Sequence, residues 1–207
     1  MAATLDKWRK PPHAKSIGIE LEGCLSSPPD PIITGYRRMF FAGKDGSIVP
    51  TRFSQYGIEW VSQPLTVEWL CRELRWLFNQ PMMASWNTNK SCGIHLHVSR
   101  LWLNERKAER INKFLHDMPD NARSDYFGRL SNYFCAYLPT LDNSDRYHAV
   151  NISNKHTIEF RMFASGGLEW SMWCVRCVQW LIEHASHLNI DALDALYVIN
   201  GCPWPYD

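Results

Sequence analysis

Several short stretches of the chain carry the apolar–polar pattern of a strand with one face in a core. The strands predicted from this pattern cover residues 16–23, 36–41, 57–62, 93–99, 147–153 and 156–163. Only Asn154 and Lys155 separate the last two stretches. A link this short joins antiparallel strands, so the sheet is not expected to be all-parallel.

Between these stretches the apolar residues recur every three or four positions, which is the spacing of an amphipathic helix. Thr66 and Asn104 precede two such segments and are the residue types that cap a helix N-terminus. Strands interleaved with helices predict an α+β fold, with helices packed on one face of an antiparallel or mixed sheet. The helices predicted in this way cover residues 66–80, 104–118, 125–138, 167–188 and 190–199.

Composition predicts one globular domain over residues 16–207, preceded by a poorly ordered lead-in over residues 1–15. A net charge of +1 gives no basis for strong unspecific nucleic-acid binding. No apolar run reaches the roughly 18 residues of a membrane span, so no membrane association is expected. Seven cysteines at irregular spacing, without a signal-peptide pattern, predict free thiols and a cytoplasmic location. Oligomeric state stays open.

Charged and imidazole side chains recur in pairs two residues apart within the predicted strands. The pairs are Glu20 with Glu22, His95 with His97, and Glu159 with Arg161, and Glu59 follows the same pattern in a further strand. Residues two apart on a strand point to the same face, so the opposite, apolar face is left to pack under the helices. A simple alternative is that these are solvated faces of half-exposed strands.

The repetition of the pattern favours a metal site over a solvated face. Glutamate is a poor strand former and like charges repel, so several strands that accept this cost indicate a cation that offsets it. Carboxylate oxygens with an imidazole suit Mg²⁺ or Mn²⁺. Cys174 and Cys177 form a CxxC pair inside a helical pattern, where buried core thiols are expected instead of a zinc site. An arginine among acids also suits phosphate binding.

Common alternative catalytic motifs are missing from the chain. It contains neither a GxxxxGKS/T phosphate-binding loop nor a GxSxG nucleophile elbow. Cys92 and His95 lie three residues apart on an extended segment, roughly 10 Å, which is too far for a Cys–His dyad.

Five segments together resemble the amidoligase family, which is related to glutamine synthetase and glutamate–cysteine ligase. The resemblance covers about residues 16–185. The CGIHLHVS and TIEFRMF segments carry most of its specificity. The five segments are GIELE at 18–22, DGSI at 45–48, EWVS at 59–62, CGIHLHVS at 92–99 and TIEFRMF at 157–163.

This resemblance implies a glutamine synthetase-like catalytic domain, with an antiparallel sheet curved around ATP and Mg²⁺ or Mn²⁺. It implies an ATP-dependent ligase that joins a carboxylate to an amine through an acyl phosphate. Motif by motif, it makes Arg161 and His95 the phosphate-side residues. The residues it assigns to the metals are Glu20, Glu22, Glu59, His97 and Glu159.

Several roles stay open at this level. Asp45 and His148 are the candidates for the base that deprotonates the amine, and a turn residue and a hairpin residue are the simple alternatives. Arg129 and Asn151 are further candidates for nucleotide binding. Two other functions fit the same face: a metal-dependent hydrolase and an inactive nucleotide-binding module. The substrates could be small molecules, peptides, protein side chains or a modified base.

Overall fold

The computed structural model describes residues 15–28, 39–50, 56–133, 135–141 and 146–189. Within them the chain forms a six-stranded antiparallel sheet and four α-helices, which confirms the predicted α+β class. The strand order is β2-β3-β1-β4-β6-β5. The strands are β1 (Ile17–Leu25), β2 (Phe40–Lys44), β3 (Tyr56–Ser62), β4 (Gly93–Ser99), β5 (Val150–Asn151) and β6 (Thr157–Ala164).

Alternation in the sequence locates the central strands correctly. β1, β3 and β4 begin and end within two residues of the predicted bounds, and β5 and β6 form the predicted antiparallel pair. β2 continues to Lys44, beyond the predicted end at Phe41, and the predicted turn follows directly after it. The predicted lead-in up to residue 14 and the predicted helix over residues 190–199 lie outside the described residues.

The helices are α1 (Val67–Phe78), α2 (Glu105–Asp117), α3 (Asp120–Phe127) and α4 (Leu168–Glu183). Asn104 caps α2 as predicted, because its side chain accepts a hydrogen bond from the Lys107 backbone N–H at 3.0 Å. Thr66 occupies the N-cap position of α1 but makes no side-chain capping bond. No described helix has the length and apolar character needed to cross a membrane.

The predicted helix over residues 125–138 is wrong in most of its length. α3 ends at Phe127, and Gly128 follows with φ of 65° in the left-handed region. A glycine in this conformation is a common helix stop, since it carries no Cβ to clash. Residues after Gly128 instead form irregular segments, which bring Arg129 over the sheet.

One apolar core lies between the sheet and the helices. Ile19 and Leu21 of β1 belong to it together with Leu70 and Leu74 of α1. α4 contacts both α1 and β4, so it lies against the same side of the sheet. The helices therefore cover one face of the sheet, and the other face is left to the polar side chains described next.

Candidate functional site

Antiparallel pairing brings the predicted polar pairs into direct opposition. Glu22 of β1 lies opposite Glu59 of β3, and Glu20 of β1 lies opposite His95 of β4. His97 of β4 lies opposite Glu159 of β6. Because paired residues in a ladder point to the same face, the sheet collects these side chains on one surface.

A β-bulge in β6 aims Arg161 at this surface. Ile94 pairs with Phe163 and Leu96 with Phe160, so Arg161 and Met162 together oppose His95. Strict alternation would have placed Phe163 on the polar face beside Arg161. The extra residue turns Phe163 to the core, where its ring packs edge to face on Trp173 of α4 with 6.2 Å between the ring centroids. Bulges commonly re-aim a side chain next to a functional site.

Glu20, His97 and Glu159 form one potential ligand group. One ligand atom from each lies within 4.8 Å of the others. His97 Nε2 is 3.3 Å from Glu20 Oε1 and 3.9 Å from Glu159 Oε1. Glu159 is further held by Arg161 Nη1, which donates to Oε1 at 2.5 Å, and by Asn151 Nδ2, which donates to Oε2 at 2.7 Å.

The electrostatics of this first group favour bound positive charge. Burial raises the pKa of Glu20, but His97 and His95 outweigh it and hold that pKa well below its usual value. Burial raises the pKa of Glu159 as well, and His97, Arg161 and His95 together lower it. Burial lowers the pKa of His97, but Glu20 and Glu159 raise it above its usual value. The lowered pKa values keep both carboxylates ionised, so they attract a cation, while the raised pKa of His97 favours its protonated form.

Glu22, Asp45 and Glu59 form a second potential ligand group, with one oxygen from each within 4.8 Å of the others. The Gly93 backbone N–H donates to Glu22 Oε2 at 2.7 Å, which fixes that carboxylate. Asp45 lies in the loop after β2, and its Oδ1 accepts hydrogen bonds from the Ser47 backbone N–H and hydroxyl, both at 2.8 Å.

His95 lies between the two groups. Its Nδ1 is 3.3 Å from Glu20 Oε2 and 3.5 Å from Glu159 Oε1, while its Nε2 is 3.8 Å from Glu22 Oε1. The imidazole is buried, with 2% of its surface exposed. His95 therefore joins the two ligand groups, so that they form one continuous polar site.

Both groups pass a simple test of fit for a metal ion. Each offers oxygen donors, with a histidine nitrogen in the first group, at spacings that one ion can span. Such donors select hard or borderline divalent cations instead of the soft ions that prefer thiolates. The structure thus places all five residues predicted as metal ligands, together with Asp45, in two adjacent clusters.

A cavity of about 170 Å³ opens above these clusters. Seven of the predicted residues line it: Glu20, Glu22, Asp45, Glu59, His95, Arg129 and Arg161. His97 and Glu159 lie deeper, each 7% exposed. Asn151 is not among the lining residues, and its amide supports Glu159 from below. His148 is buried and does not line the cavity.

Sequence reasoning missed four lining residues: Ser47, Ser91, Arg146 and Tyr147. Arg146 donates to the Tyr147 hydroxyl at 3.1 Å, and the Arg161 guanidinium lies 5.6 Å from the Tyr147 ring. In the structure these four residues lie in loops, where no periodic pattern predicts the direction of a side chain. Tyr147 had been assigned to the strand predicted over residues 147–153, which the structure limits to Val150–Asn151. Of the four, only Ser47 could have been found from the sequence, because it belongs to the DGSI segment that carries part of the resemblance.

Comparison of the chain with models of known families and with curated proteins finds no match to either.

Proposed function

We propose that the protein is an ATP-dependent ligase that joins a carboxylate to an amine with the help of Mg²⁺ or Mn²⁺. The observation that carries this proposal is the meeting of two carboxylate-rich groups and three guanidiniums, those of Arg129, Arg146 and Arg161, around one cavity. The sequence resemblance to amidoligases supports it, and with it a glutamine synthetase-like arrangement of the sheet. Comparable clusters of acids and arginines serve phosphoryl transfer in general, because cations and guanidiniums neutralise the transferred group.

The proposed reaction has two steps. A carboxylate oxygen of the acid substrate bonds to the γ-phosphorus of ATP, the bond to the bridging oxygen breaks, and ADP leaves with that electron pair. The amine nitrogen then bonds to the acyl carbon of the resulting acyl phosphate, and phosphate leaves with the electrons of the C–O bond. The proton lost by the amine passes to a base. Bound divalent ions would neutralise the phosphate charge in the first step.

Arg161 is positioned to hold the transferred phosphoryl group. Its guanidinium lines the cavity and is oriented by Glu159, and the planar donor fork of an arginine matches the oxygens of a phosphoryl group. His95 lies beside it, with Nδ1 at 3.5 Å from Arg161 Nη1. Asp45 is the stronger base candidate, because it lines the cavity while His148 does not.

The size of the cavity indicates which part of ATP it receives. Its volume of about 170 Å³ is smaller than the roughly 300–1,000 Å³ of pockets that enclose whole small ligands. The charged lining suits the polyphosphate and its cations. We place the purine toward Tyr147, whose ring pairs with that of exposed Tyr133 at a centroid distance of 5.2 Å.

The proposal is tested by following ADP, phosphate and amide together across a panel of acids and amines. Continued ADP formation is expected only when acid, amine and divalent cation are all present, because without the amine the acyl phosphate is not consumed. Glu22→Gln should lower turnover by about 100-fold or more while leaving the fold intact. Glu105→Gln, which changes an exposed carboxylate of α2, is the matched control and should keep the wild-type rate.

Two results would replace the ligase with another function. Cleavage of an ester or amide substrate without any nucleotide would identify a metal-dependent hydrolase acting on the same face. Binding of ATP without ADP formation across the whole panel would identify an inactive nucleotide-binding module.

A further inference from the structure

A second cavity of about 460 Å³ adjoins the first. It lies at the end of the sheet where β4 begins and β6 finishes, and the loop after α3 forms its other side. Arg129 lines both cavities, so the two spaces meet at its side chain. The volume of the second cavity is in the range that encloses a small organic molecule.

Arg129 is a buried cation that no carboxylate of the described residues contacts directly. Only 5% of its surface is exposed. Its one side-chain hydrogen bond within the described chain goes from Nη1 to the Arg161 backbone oxygen at 3.3 Å. No carboxylate of the described residues lies within 4.0 Å of the guanidinium. Burying an unpaired charge costs stability, so the position of Arg129 indicates an anionic ligand.

Gly93 allows Arg129 to approach the sheet. A Cβ atom on residue 93 would lie 2.3 Å from Arg129 Nη1 and 3.1 Å from His95 Nε2. Real Cβ atoms essentially never come as close as the first of these distances, so the guanidinium occupies space that only a glycine leaves open. Glycine at residue 93 therefore lets the Arg129 guanidinium lie directly against the sheet.

The lining of the second cavity selects the chemistry of its ligand. Among its described lining residues Lys90 and Arg129 are cationic, and none is acidic or aromatic. Six of the ten other lining residues carry a hydroxyl or amide group, including Ser124, Asn132 and Ser165. The described lining therefore offers no carboxylate to neutralise a free ammonium group and no ring on which a purine could stack.

We infer that the second cavity binds the acid substrate: a small polar carboxylic acid that carries hydroxyl or amide groups and no free ammonium. Its carboxylate lies on Arg129, at the border with the first cavity. This inference deepens the proposed ligase function and rests on it for the role of the acid as substrate. Arg129, which the sequence analysis gave as a candidate for nucleotide binding, is thereby assigned to the acid substrate.

The inference is tested by direct binding, without any turnover. Calorimetry would measure the affinity of the metal-free protein for N-acetylated amino acids and small hydroxy acids. Their primary amides and the corresponding free amino acids serve as comparison ligands. We expect one acid per chain, with the amides and the free amino acids bound at least about tenfold more weakly.

Arg129→Gln should weaken acid binding roughly 10- to 100-fold, and it should weaken binding of an ATP analogue, whose cavity Arg129 also lines, by a clearly smaller factor. Arg129→Lys, which keeps the charge but not the planar fork, gives a second variant if the first does not fold. Arg110→Gln removes an exposed guanidinium on α2 and is the matched control, with unchanged acid binding.

The outcomes separate this inference from the ligase proposal. Acid binding that depends on Arg129, in a protein that never forms ADP, supports the site and contradicts the ligase. Wild-type acid affinity in Arg129→Gln, loss of ATP-analogue affinity instead, or no binding of any acid to the wild type would overturn the site. In those cases ADP formation with the same acids would leave the ligase standing.

Discussion

Replacing Glu159 by glutamine tests how the buried polar cluster is held together. The wild-type carboxylate accepts two short hydrogen bonds, from Arg161 Nη1 at 2.5 Å and from Asn151 Nδ2 at 2.7 Å. Its side chain is 9% exposed. Glutamine has nearly the same shape but only one accepting oxygen. Its amide group therefore faces one of the two donors.

The expected loss of stability follows from these contacts. One charge-assisted hydrogen bond, worth about 1.5–3 kcal/mol, is lost, and the other becomes a neutral acceptor worth about 1 kcal/mol less. The cost of burying the carboxylate charge is relieved at the same time, which offsets part of the loss. We expect the free energy of unfolding of Glu159→Gln to fall by about 2 kcal/mol, which for this size lowers Tm by about 4–8 °C.

Urea unfolding of the metal-free protein measures this loss, with Glu105→Gln as the matched control. Glu105 also pairs with an arginine, Arg100, at 2.7 Å, but its side chain is 66% exposed. An exposed pair contributes less than about 1 kcal/mol, so the control should stay within that limit. Equal stability losses in the two variants would refute the view that Glu159 anchors the cluster.

Three further predictions concern stability. The pKa of His97 in the folded protein is raised above its usual 6.5. Protonated His97 therefore contributes fully to stability below pH 6.5, and this contribution is lost as the pH rises through the pKa of the folded protein. The free energy of unfolding of the metal-free protein should fall accordingly, and a pH-independent value would contradict this. Gly93→Ala should displace the end of the Arg129 side chain, which can shift, at a cost of about 1 kcal/mol in urea unfolding, and a gain in stability would count against the close contact. Asn104→Ala should cost about 1 kcal/mol and Thr66→Ala clearly less, since only Asn104 makes a capping bond; equal costs would contradict this.

The sequence predicted the polar face well because the strand period is strict. Glu20 and Glu22, or His95 and His97, share a face wherever the strand lies in the sheet. The register that places Glu22 opposite Glu59 was not predictable, because it depends on pairing between strands distant in sequence. That several strands would bring these side chains to one face was inferred from the repeated pattern, and the resemblance added the role of each residue.

Features that interrupt regular structure were not predictable. Alternation assigned Met162 to the core face but did not predict the bulge that separates Arg161 from Phe163. The aromatic residues after Asp125 resembled a helix, yet Gly128 ends α3 and starts the segment that carries Arg129. Tertiary packing explains both breaks. The bulge in β6 turns the Phe163 ring to the core, the end of α3 brings the Phe127 ring there, and the two rings pack against each other.

Asn151 illustrates how a correct location can differ from the expected contact. It was predicted to meet the nucleotide from the hairpin, and it does lie beside the site. Its amide instead donates to Glu159, while its Oδ1 accepts from the Ser153 backbone N–H at 2.9 Å. A residue of this kind orients a ligand side chain, which is a common task of polar neighbours around a metal site.

The most direct test of the central claim is a crystal structure with Mn²⁺ and a non-hydrolysable ATP analogue, with the ions located by anomalous scattering. We predict one ion at Glu20, His97 and Glu159, another at Glu22 and Glu59, and the triphosphate between them against Arg161. A triphosphate bound elsewhere, or no anomalous peak in either cluster, would contradict the account.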